Sequence, residues 1–226
     1  LTPPDTFAAG LEKEAGIVFP ELSITAFLAE AEKAGADLLV NEPVNRWVEG
    51  PREVIVHTAR NTFAGGRLLI AAGAWTSRLL GLPERQLTPK RVPVHWVAVP
   101  KDSRLRLGRF PVNFWQVPVE DCRQSRQTYR EFYTLPVIGR KAEIKAAFHN
   151  GLFDCDPAAL NRQVAPEEVE SIKGVLSHFL PGLHRHPITS EVCLYTMTPD
   201  GHFYLGRRPG SSHVFGVALA GHGFKF

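Results

Sequence analysis

The sequence is short of several things, and each shortage narrows the reading. No apolar run approaches the ~20 residues that a membrane-spanning helix needs, so no membrane partner is expected. The opening stretch, LTPPDTFAAGLEKEAG, has no basic segment followed by an apolar one and does not read as a secretory signal. It also lacks an initiating methionine; the single Met is Met197. Cysteine is scarce: Cys122, Cys155 and Cys193 stand at unrelated spacings, an odd count with no zinc pattern. Reduced thiols in a cytoplasmic setting are the simplest reading. Excess charge is also missing, at +3 overall, and the densest basic stretch, KDSRLRLGR (101–109), has no interleaved aromatics. That stretch reads as a solvated loop, and no nucleic-acid partner is expected. His178, His184 and His186 cluster in sequence, but LPGLHRHP reads as a loop and no metal site is assigned.

What is present describes an ordinary globular chain, 44% hydrophobic and 10% aromatic, long enough to bury a sizeable core. In FPELSITAFLAEAEKAGADLLV, Leu22, Ala26, Ala29 and Lys33 step at helical spacing. Gly35 stops that helix, and DLLV (37–40) reads as a buried strand. Val54–His57 and Leu68–Ala71 read as strands with AGG between them as a turn. VPVHWVAVP (92–100), NFWQVPV (113–119), QTYREFYTLPVIG (127–139) and EIKAAFH (143–149) read as strands of an antiparallel sheet. A second helix is expected over 165–182, with Pro and two Glu in its first turn and PG after its end. Three more strands are expected in SEVCLYTMT (190–198), HFYLG (202–206) and HVFGVALA (213–220). The pattern is mixed α+β and α/β, with no internal repeat.

Several short strings have chemistry available to them, each with a plainer reading beside it. RLLIAAGAWTSRLLG (67–81) is a strand, a small-residue turn and a helix start, which suits a nucleotide site or any tight strand–helix junction. Lys145 and His149 stand at i and i+4, on one face if the segment is a strand, though a lone Lys–His pair is usually a surface feature. Cys193 and Tyr195 are two apart on a strand, where a buried structural cysteine is the default. Trp96, Phe114 and Trp115 could narrow a pocket or fill the core, and core is the preferred reading.

Taken together and in order, AAGAWTSRLLG, IKAAFH, VCLYTMTPDGHF and AGHGFKF resemble the FAD-dependent amine oxidases of the monomeric sarcosine oxidase and N-methyltryptophan oxidase family. The resemblance implies a partial FAD-binding domain over 1–85, a mainly antiparallel substrate domain over 86–190 with a helix near 165–180, and a return to the FAD-binding domain over 191–226. It makes Cys193 the covalent attachment point of the flavin and Tyr195 a wall of the active site. Lys145 takes the part of the oxygen-activating lysine, a cation that stabilises superoxide as the first electron reaches O2. His149 takes that of the histidine beside the substrate amine. Tyr133 would be a second pocket residue, with a one-residue shift in its spacing to His149. Lys225 would bind the substrate carboxylate, while Gly221, His222, Gly223 and Phe224 form a turn against the flavin ring, and Gly73, Ala74 and Trp75 form the turn after a flavin-side strand. The reaction implied is oxidation of a secondary amino acid such as sarcosine by hydride transfer to flavin N5, with imine hydrolysis and reduction of O2 to H2O2, in a monomer.

The family pattern is interrupted at both ends. No strand leads into G-x-G-x-x-G, and GLEKEAG (10–16) has the wrong spacing. The family's N-terminal basic residues and the helix that follows GHGFKF have no counterpart. The chain therefore reads as an internal piece without the first βαβ unit, and as given it is expected to bind FAD weakly or not at all. Two alternatives stand beside this reading: another oxidase or dehydrogenase of the D-amino acid oxidase superfamily, or a non-catalytic domain that has kept the fold.

Overall fold

The computed structural model describes residues 5–83, 85–101, 104–118, 129–150 and 152–226. Cys122, Val119, the start of the 127–139 stretch and two residues of the basic loop, Asp102 and Ser103, lie outside them. The chain divides into two compact units, one built on Pro89–Tyr195 with the N-terminal residues up to Ala8, the other on Ala9–Thr88 and Thr196–Phe226. Among the described residues no helix is long and apolar enough to cross a membrane.

The Pro89–Tyr195 unit is organised by a six-stranded sheet. Its strands are β5 (Thr88–Ala98), β6 (Asn113–Pro118), β7 (Tyr129–Leu135), β8 (Glu143–Phe148), the two-residue β9 (Phe153–Asp154) and β10 (Ile188–Met197). The order is β10-β5-β8-β7-β6, with β9 also on β5. Alternation along each strand sorts side chains onto two faces. One face carries Val97, Ile144, Ala146, Phe148 and Phe132, and against it lies helix α3 (Pro166–Phe179) through Ile172, Leu176 and Phe179. Each of those three helix side chains is 2% exposed or less, so each burial stabilises the unit by roughly 1.5–3 kcal/mol. Trp115 stacks on Phe132 at 5.9 Å between ring centroids, so its core reading holds. The start of α3 is fixed by Glu168, which accepts from the Ala165 N–H at 2.8 Å and pairs through its other oxygen with Arg91. This is the carboxylate half of a capping box, because Ala165 has no side-chain acceptor to supply the other half.

In the other unit, helix α1 (Pro20–Lys33) forms as its periodicity predicts, with Pro20 in its first turn and Gly35 beyond its end at φ 89°. None of its residues is buried; Leu22 is 70% and Phe27 73% exposed. The strand expected at 37–40 is absent. Leu38, Leu39 and Val40 are exposed and the chain turns at Val40–Asn41, because no described strand lies beside them to take up their N–H and C=O groups. The AGG turn is also corrected. Strands β1 (Val44–Glu49), β2 (Val54–Thr58) and β3 (Thr62–Gly65) form an antiparallel sheet, so Ala64 and Gly65 pair with β2 and the turn follows them. Strand β4 (Leu68–Ile70) runs parallel to β12 (Val214–Ala218), which pairs antiparallel with β11 (Tyr204–Arg207). After β4 a 3-10 turn, Gly73–Trp75, leads into the short helix α2 (Thr76–Leu80). Val54, Ile70, Leu80, Leu87, Val214 and Ala218 form the core of this unit.

Candidate active site

The face of the six-stranded sheet opposite α3 collects Lys145, His149, Tyr133, Tyr195 and Cys193 of the residues singled out from the sequence. On β8 the phase that sends Ile144, Ala146 and Phe148 toward α3 turns Lys145, Ala147 and His149 the other way. Tyr133 is registered opposite Ala147, and Tyr133, Tyr195 and Trp96 pack against the cluster of Val92, Val94 and Ala147. The His149 ring meets Tyr195 edge-on at 5.8 Å and Phe114 at 5.7 Å. Its backbone is pinned as well: the His149 N–H donates to Glu131 O at 2.8 Å. The next residue holds that end of the strand. The Asn150 side chain accepts from the Glu131 N–H at 2.8 Å and donates to Tyr129 O at 3.1 Å, standing in for backbone partners where β8 stops.

The Tyr133 and Tyr195 phenols lie close enough on this face for each to influence the ionisation of the other. Burial pushes both phenols above their ordinary range, and the nearby Cys193 sulfur adds to the effect on each. Both are therefore neutral at physiological pH. Cys193 is exposed, which overturns the buried-cysteine default: Val192 and Thr196 take the buried phase of β10. Two further residues assigned to the core belong to this face. Phe114 is 54% exposed against His149, and Trp96 lies beneath the Lys145 ammonium. The alternation Val92-Val94-Trp96 carried the face of Trp96, but only the register of β5 on β8 places it opposite Lys145. A cavity of about 50 Å³ lined by Arg91, His95, Arg130, Phe148, Glu168 and Ser171 lies on the α3 side of the sheet and takes in none of this cluster.

The remaining predicted site residues belong to the other unit. Gly73, Ala74 and Trp75 form the 3-10 turn at the end of β4, with Gly73 at φ 52° and Ala74 buried. Thr76 at the head of α2 accepts from the Ala72 N–H at 3.1 Å and fixes the turn. The C-terminal turn leaves β12 through Ala220 at φ 44° and Gly221 at φ 72°. It is closed by His222 N–H to Leu219 O at 3.0 Å and Phe226 N–H to Gly223 O at 3.1 Å. A Cβ at Gly223 would stand 2.8 Å from Leu219 Cδ1, so only glycine fits. His222 packs on Phe203 at 4.9 Å, Phe224 is exposed, and the Lys225 Nζ lies 5.6 Å from the Phe226 ring.

Comparison with solved structures defines the fold first. The fold matches fructosamine oxidase (amadoriase II) of Aspergillus fumigatus at a TM-score of 0.71 and 17% identity, over 90% of this chain and 50% of that one. It also matches the open form of NikD, an unusual amino acid oxidase, at 0.69 and 18%, over 89% and 52%. The chain belongs to the DAO family of FAD-dependent oxidoreductases, whose model covers residues 1–226. It is 34% identical to the monomeric sarcosine oxidase of Streptomyces avermitilis across the whole chain and 58% of that protein. It is 28% identical to the N-methyl-L-tryptophan oxidase of Salmonella typhi across 99% of the chain and 57% of that protein. The chain thus spans just over half the length of these relatives.

The residues present fit the ring end of FAD. An exposed thiol, and an ammonium for which no carboxylate partner is found among the described residues, stand on one sheet face.

Proposed function

We propose that this chain supplies the catalytic sheet and the ring-facing turns of an FAD-dependent oxidase of secondary N-methyl amino acids such as sarcosine. The observation that carries the reading is the grouping of Lys145, His149, Tyr133, Tyr195 and Cys193 on one face of the sheet. The names of the relatives support the substrate class. Bound FAD would supply the acceptor for the substrate hydride and the route of its electrons to O2, with H2O2 and an imine that water hydrolyses as the products.

The protein residues hold and orient. Tyr133 and Tyr195, both neutral, offer phenol hydroxyls as donors to a bound substrate or water. His149, held edge-on between Tyr195 and Phe114, presents a ring nitrogen to the substrate amine and favours its neutral form, whose lone pair assists departure of the hydride. Lys145 contributes positive charge where O2 becomes an anion, an electrostatic role that needs no proton transfer. Cys193 is the attachment point for the flavin ring and Lys225 the partner of the substrate carboxylate. The protein acts as a monomer, with the amino acid and O2 as its small-molecule partners.

The test is H2O2 release by a complete oxidase that carries this chain, with sarcosine set against D-alanine and glycine. The expected result is turnover of sarcosine well above the other two. Preference for a primary amino acid would move the protein to another activity of the same family.

A further inference from the structure

We propose that Trp96 is the positioning residue for the Lys145 ammonium, holding it by its aromatic face so that the charge stays unpaired on the open side of the sheet. The inference rests on the reading of Lys145 as the cation that assists reduction of O2. Trp96 on β5 and Lys145 on β8 are registered directly opposite each other, and the Lys145 Nζ lies 5.7 Å from the indole centroid. On the other side Lys145 faces Leu135 of β7, so its stem runs between two apolar neighbours. Among the described residues no carboxylate pairs with the ammonium, and it has no hydrogen-bond acceptor.

The difference between a ring and a carboxylate as partner is electrostatic. A carboxylate at hydrogen-bond distance would cancel most of the field that a developing oxyanion feels. An indole face attracts the cation through its quadrupole, carries no net charge and leaves that field in place. It also restricts a side chain that otherwise spreads over many rotamers. The attraction corresponds to about a twofold to tenfold preference for the seated position. Trp96 touches neither the reacting atoms nor the substrate in this reading; it acts through Lys145.

The test has two arms. In the flavin-loaded oxidase, Trp96→Leu should lower the second-order rate constant for reoxidation by O2 by about twofold to tenfold, while flavin reduction by substrate stays within about twofold. Trp96→Phe, which keeps a smaller aromatic face, should recover part of the loss. In the second arm, denaturant unfolding of the parent, Trp96→Leu, Lys145→Met and the double variant should show a coupling of about twofold to tenfold in the unfolding constant. Reoxidation unchanged in Trp96→Leu when Lys145→Met slows it, or a cycle without coupling, overturns the proposal. If Lys145→Met reoxidises like the parent while the cycle still shows coupling, the oxygen role of Lys145 fails instead, and Trp96 positions a lysine with no part in the reaction.

Discussion

Lowering the pH from 7 to 5 should weaken the Pro89–Tyr195 unit through one side chain, His95. Its ring lies on the α3 side of β5, 1% exposed, with Nδ1 2.8 Å from Ser190 Oγ on β10. Burial lowers its pKa from 6.5 to about 4, and the Glu168 carboxylate offsets only part of that. The folded protein therefore holds a neutral imidazole where the unfolded chain takes up a proton. The stabilisation is complete above pH 6.5 and is lost as the pH falls through the interval down to about 4. From these two values the loss is about 2 kcal/mol at pH 5 and about 3 kcal/mol at pH 4. Glu168 is also lowered, so its own contribution is lost only below the ordinary carboxylate range, and pH 5 isolates the histidine. With a urea dependence of about 2 kcal/mol per molar, the unfolding midpoint followed by tryptophan fluorescence should fall by about 1 M between pH 7 and pH 5. His95→Gln, which cannot titrate, should show a much smaller fall whatever its starting stability. A parent midpoint that does not move, or an equal fall in the variant, would refute the assignment of a neutral buried His95.

The other predictions concern packing and cofactor attachment. Gly216→Ala would place a Cβ against Leu80, with Cδ2 and Cγ at 3.2 Å, and Leu80 is fully buried. It should cost about 1–3 kcal/mol by thermal unfolding, and an unchanged melting temperature would show that this core yields more readily than its packing indicates. In a complete oxidase, Cys193→Ser should let acid precipitation release the flavin into the supernatant, whereas the parent should keep it with the protein. Release from both would remove the covalent attachment.

The two helices, most strands and the order of the chemical strings could be read before any coordinates, because helix periodicity, strand alternation and turn glycines are local properties. The misreadings were of another kind. Leu38, Leu39 and Val40 have the composition of a strand, yet a strand exists only where a neighbour accepts its backbone hydrogen bonds. AGG (64–66) looked like a turn because the pairing of Ala64 and Gly65 with β2 is set by the hairpin and not by their own side chains. Phe114 was assigned to the core by hydrophobicity, whereas its position on the edge strand β6 leaves it half open against His149.

By itself the sequence determined which family the chain resembles and which residues to propose for its site: Lys145, His149, Cys193, Tyr195 and the closing GHGFKF stand in a recognisable order along the chain. Only the tertiary structure decided which of them share a surface. Tyr133 and Tyr195 come from strands separated by more than fifty positions and meet because β7 and β10 flank β8 and β5 in one sheet. Trp96 became the seat of Lys145 through the register of β5 on β8, and a slip of one residue would have turned the indole to the opposite face. Alternation says that a strand has two faces; pairing between strands decides what each face holds.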